Sequence, residues 1–180
     1  MKNIEIDGLN FELLIKEEDI LCSIKLLSQK LNDSYSGEWP VILVVLNGAI
    51  FFAGELLKHI DEFVEFSCVK VHSYDGKVSS GNIIIDYIPC CDIIKNKKVL
   101  LIEDIVDTGL TLDFLTKELK KRGAKDVECV TLLFKPHKYN FPNLPKYIGF
   151  NIRDEFVVGY GMDLNQKGRG LKNIYKNINN

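Results

Sequence analysis

Residues 99–112 read VLLIEDIVDTGLTL, an apolar run followed at once by the carboxylates Glu103, Asp104 and Asp107. Ionised carboxylates only accept hydrogen bonds and coordinate hard cations well. The adjacent Glu103 and Asp104 therefore suit two neighbouring hydroxyls of a sugar, a divalent cation, or both. The next residues, Asp107-Thr108-Gly109-Leu110-Thr111, offer a run of backbone amides, two hydroxyls and a glycine that permits tight curvature at a helix start. Free first-turn amides point at an anion and the helix dipole favours it, so this run reads as a phosphate cradle. A single acid here would read as a helix cap. The whole constellation, placed at the carboxyl end of a core strand, reads as a ligand site with a phosphate cradle beside acids that would meet sugar hydroxyls, a divalent cation, or both.

The surrounding elements must deliver that peptide to a site mouth. Apolar positions Ile20, Leu21, Ile24, Leu27 and Leu31 give an amphipathic helix over 17–31, and VILVVL at 41–46 is a buried parallel strand ending at Asn47-Gly48. A helix over 49–60, a strand over 65–73, a polar loop over 74–82 and a strand over 83–88 come next. After a turn at 92–98, the strand at 99–102 leads into a helix over 110–122 and a strand over 127–134. Alternation at this interval predicts an α/β fold, a central parallel sheet flanked by helices, in one domain. Its core spans about 15–135. Pro136, Pro142 and Pro145 break the rhythm beyond it, so 136–180, with short strands near 147–150 and 156–159, is expected to form most of a small hood over the site.

The stretch 103–111 resembles the phosphoribosyl pyrophosphate signature of type I phosphoribosyltransferases, and its neighbours resemble the hypoxanthine-guanine phosphoribosyltransferases in particular, from about Val41 to Leu171. The resemblance implies that Glu103 and Asp104 hold the ribose hydroxyls while Asp107, Thr108, Gly109, Leu110 and Thr111 wrap the 5'-phosphate. Asn47-Gly48 matches the pyrophosphate loop, with Asn47 where many relatives carry lysine, and Ser73-Tyr74 opens a loop that closes during reaction. Lys135 matches the donor to the purine 6-oxo group, Phe156 the ring that stacks on the base, and Val157 the residue whose backbone reads the base edge. Asp163 matches a position near a second metal, and Arg169 an arginine that contacts pyrophosphate. The activity this resemblance implies is transfer of phosphoribosyl from phosphoribosyl pyrophosphate to hypoxanthine or guanine. Magnesium is expected at Glu103, Asp104 and Asp163, Asp107 as general base, and a homodimer or homotetramer as the assembly.

Composition narrows the alternatives. The chain of 180 residues is 46% hydrophobic with net charge −2, which argues against a whole-surface polyanion binder and against nucleic acid as a partner. No apolar run approaches the ~20 residues of a membrane helix and no signal region opens the sequence, so a cytoplasmic protein with no membrane partner is expected. The five cysteines form no zinc spacing and read as small buried hydrophobes. GKVSSG lacks the Lys-Ser/Thr of a nucleotide loop and GYGMDL lacks a third glycine. His59, His72 and His137 are assigned structural or solvent roles. Two rivals stand beside the main reading. One is a nucleic-acid-binding regulator that senses phosphoribosyl pyrophosphate, and the other is a xanthine-preferring transferase.

Overall fold

The computed structural model of the chain describes residues 3–73 and 83–178; Tyr74, the loop over 74–82 and the side chain of Ser73 lie outside the described residues. A six-stranded sheet runs in the order β5-β4-β3-β6-β7-β8, built from β3 (Val41–Leu46), β4 (Phe66–Ser73), β5 (Ile83–Tyr87), β6 (Lys98–Val106), β7 (Asp126–Phe134) and β8 (Tyr147–Asn151). Five of these strands are parallel, whereas β5 returns antiparallel along β4 at one edge, so the sheet is mixed rather than wholly parallel. The connection from Ser73 to Ile83 is shorter in sequence than the dozen or more residues a parallel crossover needs, so β5 runs antiparallel.

Helices cover both faces. Along β3 and β6 the even-numbered residues Ile42, Val44, Leu100 and Ile102 pack with α1 (Glu17–Tyr35) and α2 (Ile50–Leu57). The odd-numbered Val41, Leu43, Val45, Val99 and Leu101 pack with Ile94 of α3 (Cys91–Ile94) and with Leu112, Leu115 and Leu119 of α4 (Leu110–Lys121). Two-sided burial is why these strands read as unbroken apolar runs. From β3 the chain proceeds to β4 on one side, while β6 leads to β7 on the other, so the strand order switches direction between β3 and β6. A crevice outside the carboxyl ends of strands at such a switch is where open α/β sheets bind ligands.

A second, four-stranded antiparallel sheet, β1-β2-β10-β9, borders that crevice, its Val157 lining one hollow with Asp104. It joins β1 (Ile4–Ile6) and β2 (Leu9–Ile15) from the start of the chain to β9 (Val157–Val158) and β10 (Ile174–Asn177) from its end. Two boundaries differ from the sequence reading. Strand β8, expected in the hood, instead extends the main sheet beside β7, with Val130 opposite Tyr147 and Phe134 opposite Asn151. The hood also draws a hairpin from residues 4–15, an N-terminal contribution whose two strands the sequence reading leaves unassigned; the buried Phe11 and Ile15 anchor it.

Candidate active site

Strand β6 does not stop at the acids. It stays paired with β7 through Val106, with Glu103 opposite Thr131, while its pairing with β3 ends at Ile102. The acids thus occupy the stretch where β6 outruns β3. Side chains alternate along a strand, so Glu103 takes the α4 face and Asp104 the hood face. The strand is longer than the apolar run at 99–102: charge ends the apolar pattern in the sequence, but hydrogen bonding to β7 carries the strand through both acids to Val106. Glu103, 5% exposed, lines a hollow of about 90 Å³ with Val106 and the turn Asp107–Leu112. Asp104 lines a second hollow of about 190 Å³ with Asp107, Lys135, Phe156, Val157 and Asp163.

Burial pushes the Glu103 carboxyl well above the ordinary carboxylate range, and the adjacent Asp104 charge adds to it. Asp104 is pushed from 3.8 up to about 6, chiefly by burial, against the opposing pull of backbone amides and Arg169. An acid with a higher pKa folded than unfolded binds its proton more tightly when folded, so this placement loses stability as pH rises from 3.8 through about 6. Acids that cost stability where they stand are candidates for function.

The turn 107–111 has the form the sequence implies. Gly109 precedes α4 at φ +88, and a Cβ there would fall 2.3 Å from the Tyr139 ring. The left-handed backbone, which glycine adopts without penalty, keeps Thr108 to Thr111 around the small hollow. On the other side of the strand end, Gly48 presses its backbone against Asp104: an added Cβ would lie 1.8 Å from Asp104 Oδ2, and one at Gly161 would lie 1.9 Å from the Gly48 carbonyl oxygen. Three segments distant in sequence are therefore packed in series, Gly161 on Gly48 and Gly48 on the Asp104 carboxylate. Asn47 beside them is exposed, and Ser73 ends β4.

Lys135 follows β7 and is buried, not solvated as a lone lysine would be. Its ammonium donates to Asp107 Oδ2 at 2.7 Å and lies 3.7 Å from Asp154. Asp107 Oδ1 is buried with no hydrogen-bond partner, and Lys138 stands 3.7 Å from it. Phe156 is 37% exposed, with its ring 6.1 Å from the buried Phe11 of the N-terminal hairpin. Val157 is buried in β9 beside Lys176. Asp163 accepts from Arg169 at 2.5 Å through one oxygen and from the Gln166 amide at 2.7 Å through the other; Arg169 also donates to the Gly161 carbonyl at 2.7 Å.

The metal set needs revision. Among the described residues no group of three or more His, Cys, Asp or Glu side chains converges. Glu103 lies across the strand from Asp104, so Glu103, Asp104 and Asp163 do not form one cage. Asp104 and Asp163 do share a hollow, which fits a magnesium ion held by one or two carboxylates plus substrate oxygens. Asp154, Lys138, Met162 and the Gly48–Gly161 contact are not legible in the sequence. They stand in irregular segments where no period marks them.

The other side chains with potential chemistry lie outside these hollows. His59 pairs with Glu55 at 3.5 Å and His72 with Asp86 at 3.0 Å. Cysteine burial is corrected: Cys129 is buried, whereas Cys22, Cys90 and Cys91 are exposed, and all five are free. No helix among the described residues is long and apolar enough to cross a membrane.

Comparison with known proteins agrees with this geometry. The family profile of the phosphoribosyl transferase domain matches residues 14–165. Hypoxanthine-guanine phosphoribosyltransferase of Bacillus subtilis (strain 168) is 39% identical over 165 residues, 91% of each chain. The Aquifex aeolicus enzyme of the same name is 38% identical over 95% of this chain and 97% of its own. The crystal structure of a hypoxanthine phosphoribosyltransferase from Staphylococcus aureus superposes with a TM-score of 0.84 at 38% identity, covering 92% of this chain and 90% of that one. With a strand end, an acid pair and a phosphate-sized turn arranged as above, the chain belongs to the phosphoribosyl transferase family and, within it, to the hypoxanthine-guanine phosphoribosyltransferases.

Proposed function

We propose that this phosphoribosyltransferase serves purine salvage in the cytoplasm, joining hypoxanthine, and guanine as well, to phosphoribosyl pyrophosphate to form the nucleoside monophosphate, IMP or GMP, and pyrophosphate. The observation that carries the reading is the pair of hollows on either side of β6. A phosphate fits the one ringed by 107–112 and a flat base the one floored by Phe156, with the pentose between them. Glu103 and Asp104 then reach the sugar hydroxyls from opposite sides of the strand. Stacking on an aromatic ring is worth ~1 to 3 kcal/mol per base, enough for Phe156 to matter to a small ligand.

Base and sugar are held in line, and the purine nitrogen attacks the anomeric carbon as the bond to pyrophosphate breaks. Alignment of this kind can supply several kcal/mol. Asp107 takes the proton from the imidazole edge of the base. Lys135 donates to the 6-oxo group, Val157 meets the base edge, and Asn47, Gly48, Ser73, Tyr74 and Arg169 serve the pyrophosphate end. Arg169 must turn from Asp163 to do so, because its fork is occupied. Asp104 and Asp163 would hold magnesium, which when bound neutralises charge building on the leaving pyrophosphate. Neither a nucleic-acid-binding regulator nor a xanthine-preferring enzyme finds support among these relatives.

A homodimer or homotetramer is part of the reading. Exposed Ile50 and Phe66 line an apolar hollow of about 580 Å³ along α2 and β4, the kind of surface that a second copy covers.

An assay with phosphoribosyl pyrophosphate, magnesium and each of hypoxanthine, guanine, xanthine and adenine, following pyrophosphate release, tests the function. Release with the first two is expected; release with none would end the reading. A further expectation concerns Gly48→Ala. Its methyl has no space beside Asp104 Oδ2, so the carboxylate is displaced while the sheet is left intact. Misplacement of about an ångström at such a site costs roughly 10²-fold, and kcat/KM for phosphoribosyl pyrophosphate should fall by that order at a little-changed melting temperature. Unaltered kinetics would show that the Asp104 position is not critical.

A further inference from the structure

Lys135 has two anionic neighbours, and they are unequal. It donates to Asp107 Oδ2 at 2.7 Å, while Asp154 Oδ1 stands off at 3.7 Å. That same Asp154 oxygen accepts from Lys138 at 2.6 Å, and Lys138 is 3.7 Å from Asp107 Oδ1. Two acids and two lysines thus alternate around a closed ring of contacts. Asp154 lies between β8 and β9, two residues ahead of Phe156. The Lys135 side chain is 6% exposed, whereas those of Lys138 and Asp154 are 39% and 59% exposed, so the ring has a buried corner and a wet rim.

If Asp107 turns to the imidazole edge of a purine, Lys135 loses its short partner. A buried ammonium without an anion is costly, and the oxo group of a neutral base is an acceptor, not a counter-charge. Asp154 is the carboxylate left within reach. Lys138, first by hydrogen bonding, and then both lysines by their charge, hold its carboxyl below the ordinary range, so it is an anion at neutral pH.

We propose that Asp154 is a positioning residue that receives Lys135 when Asp107 is released to the base, and that Lys138 fixes Asp154 for this handover. The inference rests on the reading that Lys135 addresses the 6-oxo group. It adds two residues to base recognition that touch no substrate themselves and act through Lys135 alone. The partial exposure of the pair sets the size of the effect. A charge-assisted contact of this kind is discounted for solvent screening, giving roughly three- to tenfold rather than a loss of function.

Steady-state kinetics on the full chain test it, with hypoxanthine and with purine lacking the 6-oxo group as alternative acceptors. Asp154→Asn is expected to raise KM for hypoxanthine roughly three- to tenfold, with KM for phosphoribosyl pyrophosphate and for unsubstituted purine unmoved. Asp154→Glu should recover most of the loss, and Lys138→Met should shift KM in the same direction by less. On a Lys135→Met background, Asp154→Asn should add nothing. Equal losses for both acceptors, or full additivity with Lys135→Met, would overturn the handover. If Asp154→Asn does not fold, Lys138→Met carries the same comparison of acceptors and decides the matter. If Lys135→Met itself leaves KM for hypoxanthine unchanged, the base-reading role of Lys135 falls first and takes the proposal with it.

Discussion

Asp107→Asn is expected to lower turnover about 10²- to 10⁴-fold, the usual range for losing a general base, while binding of phosphoribosyl pyrophosphate changes only a few-fold. The geometry separates the two effects. Asp107 Oδ2 is held by Lys135 at 2.7 Å and Oδ1 is buried with no hydrogen-bond partner, so once Lys135 releases it to the base the carboxylate is free to accept a proton. Asparagine keeps the shape of the turn that wraps the phosphate but cannot take that proton. Single-turnover rates at saturating substrate, set beside titration of the variant with phosphoribosyl pyrophosphate, report chemistry and binding independently. Wild-type turnover in the variant would remove Asp107 from the proton transfer, and a loss confined to binding would reassign it to the phosphate turn.

Adenine is expected to be a very poor acceptor, by about 10⁴-fold or more in kcat/KM relative to hypoxanthine, because sites built around one hydrogen bond reject partners that leave it unpaired. Lys135 brings three donors and no acceptor. The 6-oxo group of hypoxanthine accepts from it, while the 6-amino group of adenine presents another donor. With the Lys135 side chain only 6% exposed, water cannot readily repair the mismatch. Competition between the two bases in one reaction, read by separating the monophosphates formed, measures the ratio directly. Efficient adenylate formation would rule out Lys135 as the reader of the 6-position.

The parts of this protein that obey local rules are readable from the chain. The apolar runs at 41–46 and 99–102 have to be two-sided core strands, and the glycine turn at 107–111 has to open a helix; both stand where expected. What local rules do not encode is which way paired strands continue. Glu103 and Asp104 look like the end of a strand because charge interrupts the pattern, yet pairing with β7 extends β6 to Val106 and sends the two acids to opposite faces. Strand β8 reads as part of the hood because prolines precede it closely, although Pro136, Pro142 and Pro145 all fall in the connection before it and leave the strand free to pair. The Asp154–Lys138 pair and the approach of Gly48 to Asp104 depend on chain segments brought together by the sheet, and no spacing along the sequence announces them. Resemblance to a family supplies the roles that chemistry alone leaves open, above all those of Phe156, Asp163 and Arg169.

Transfer by this site requires ribose 5-phosphate to settle across the end of β6, its phosphate in the 107–111 turn. Titration of isotopically labelled protein with ribose 5-phosphate, following backbone amide resonances by NMR, reads this without turnover. The largest shifts are expected at Thr108, Gly109, Leu110 and Thr111, accompanied by movement at Glu103 and Asp104 and by little change along α1. Saturable binding that leaves the 107–111 amides still while shifting resonances elsewhere would contradict that placement and the chemistry built on it.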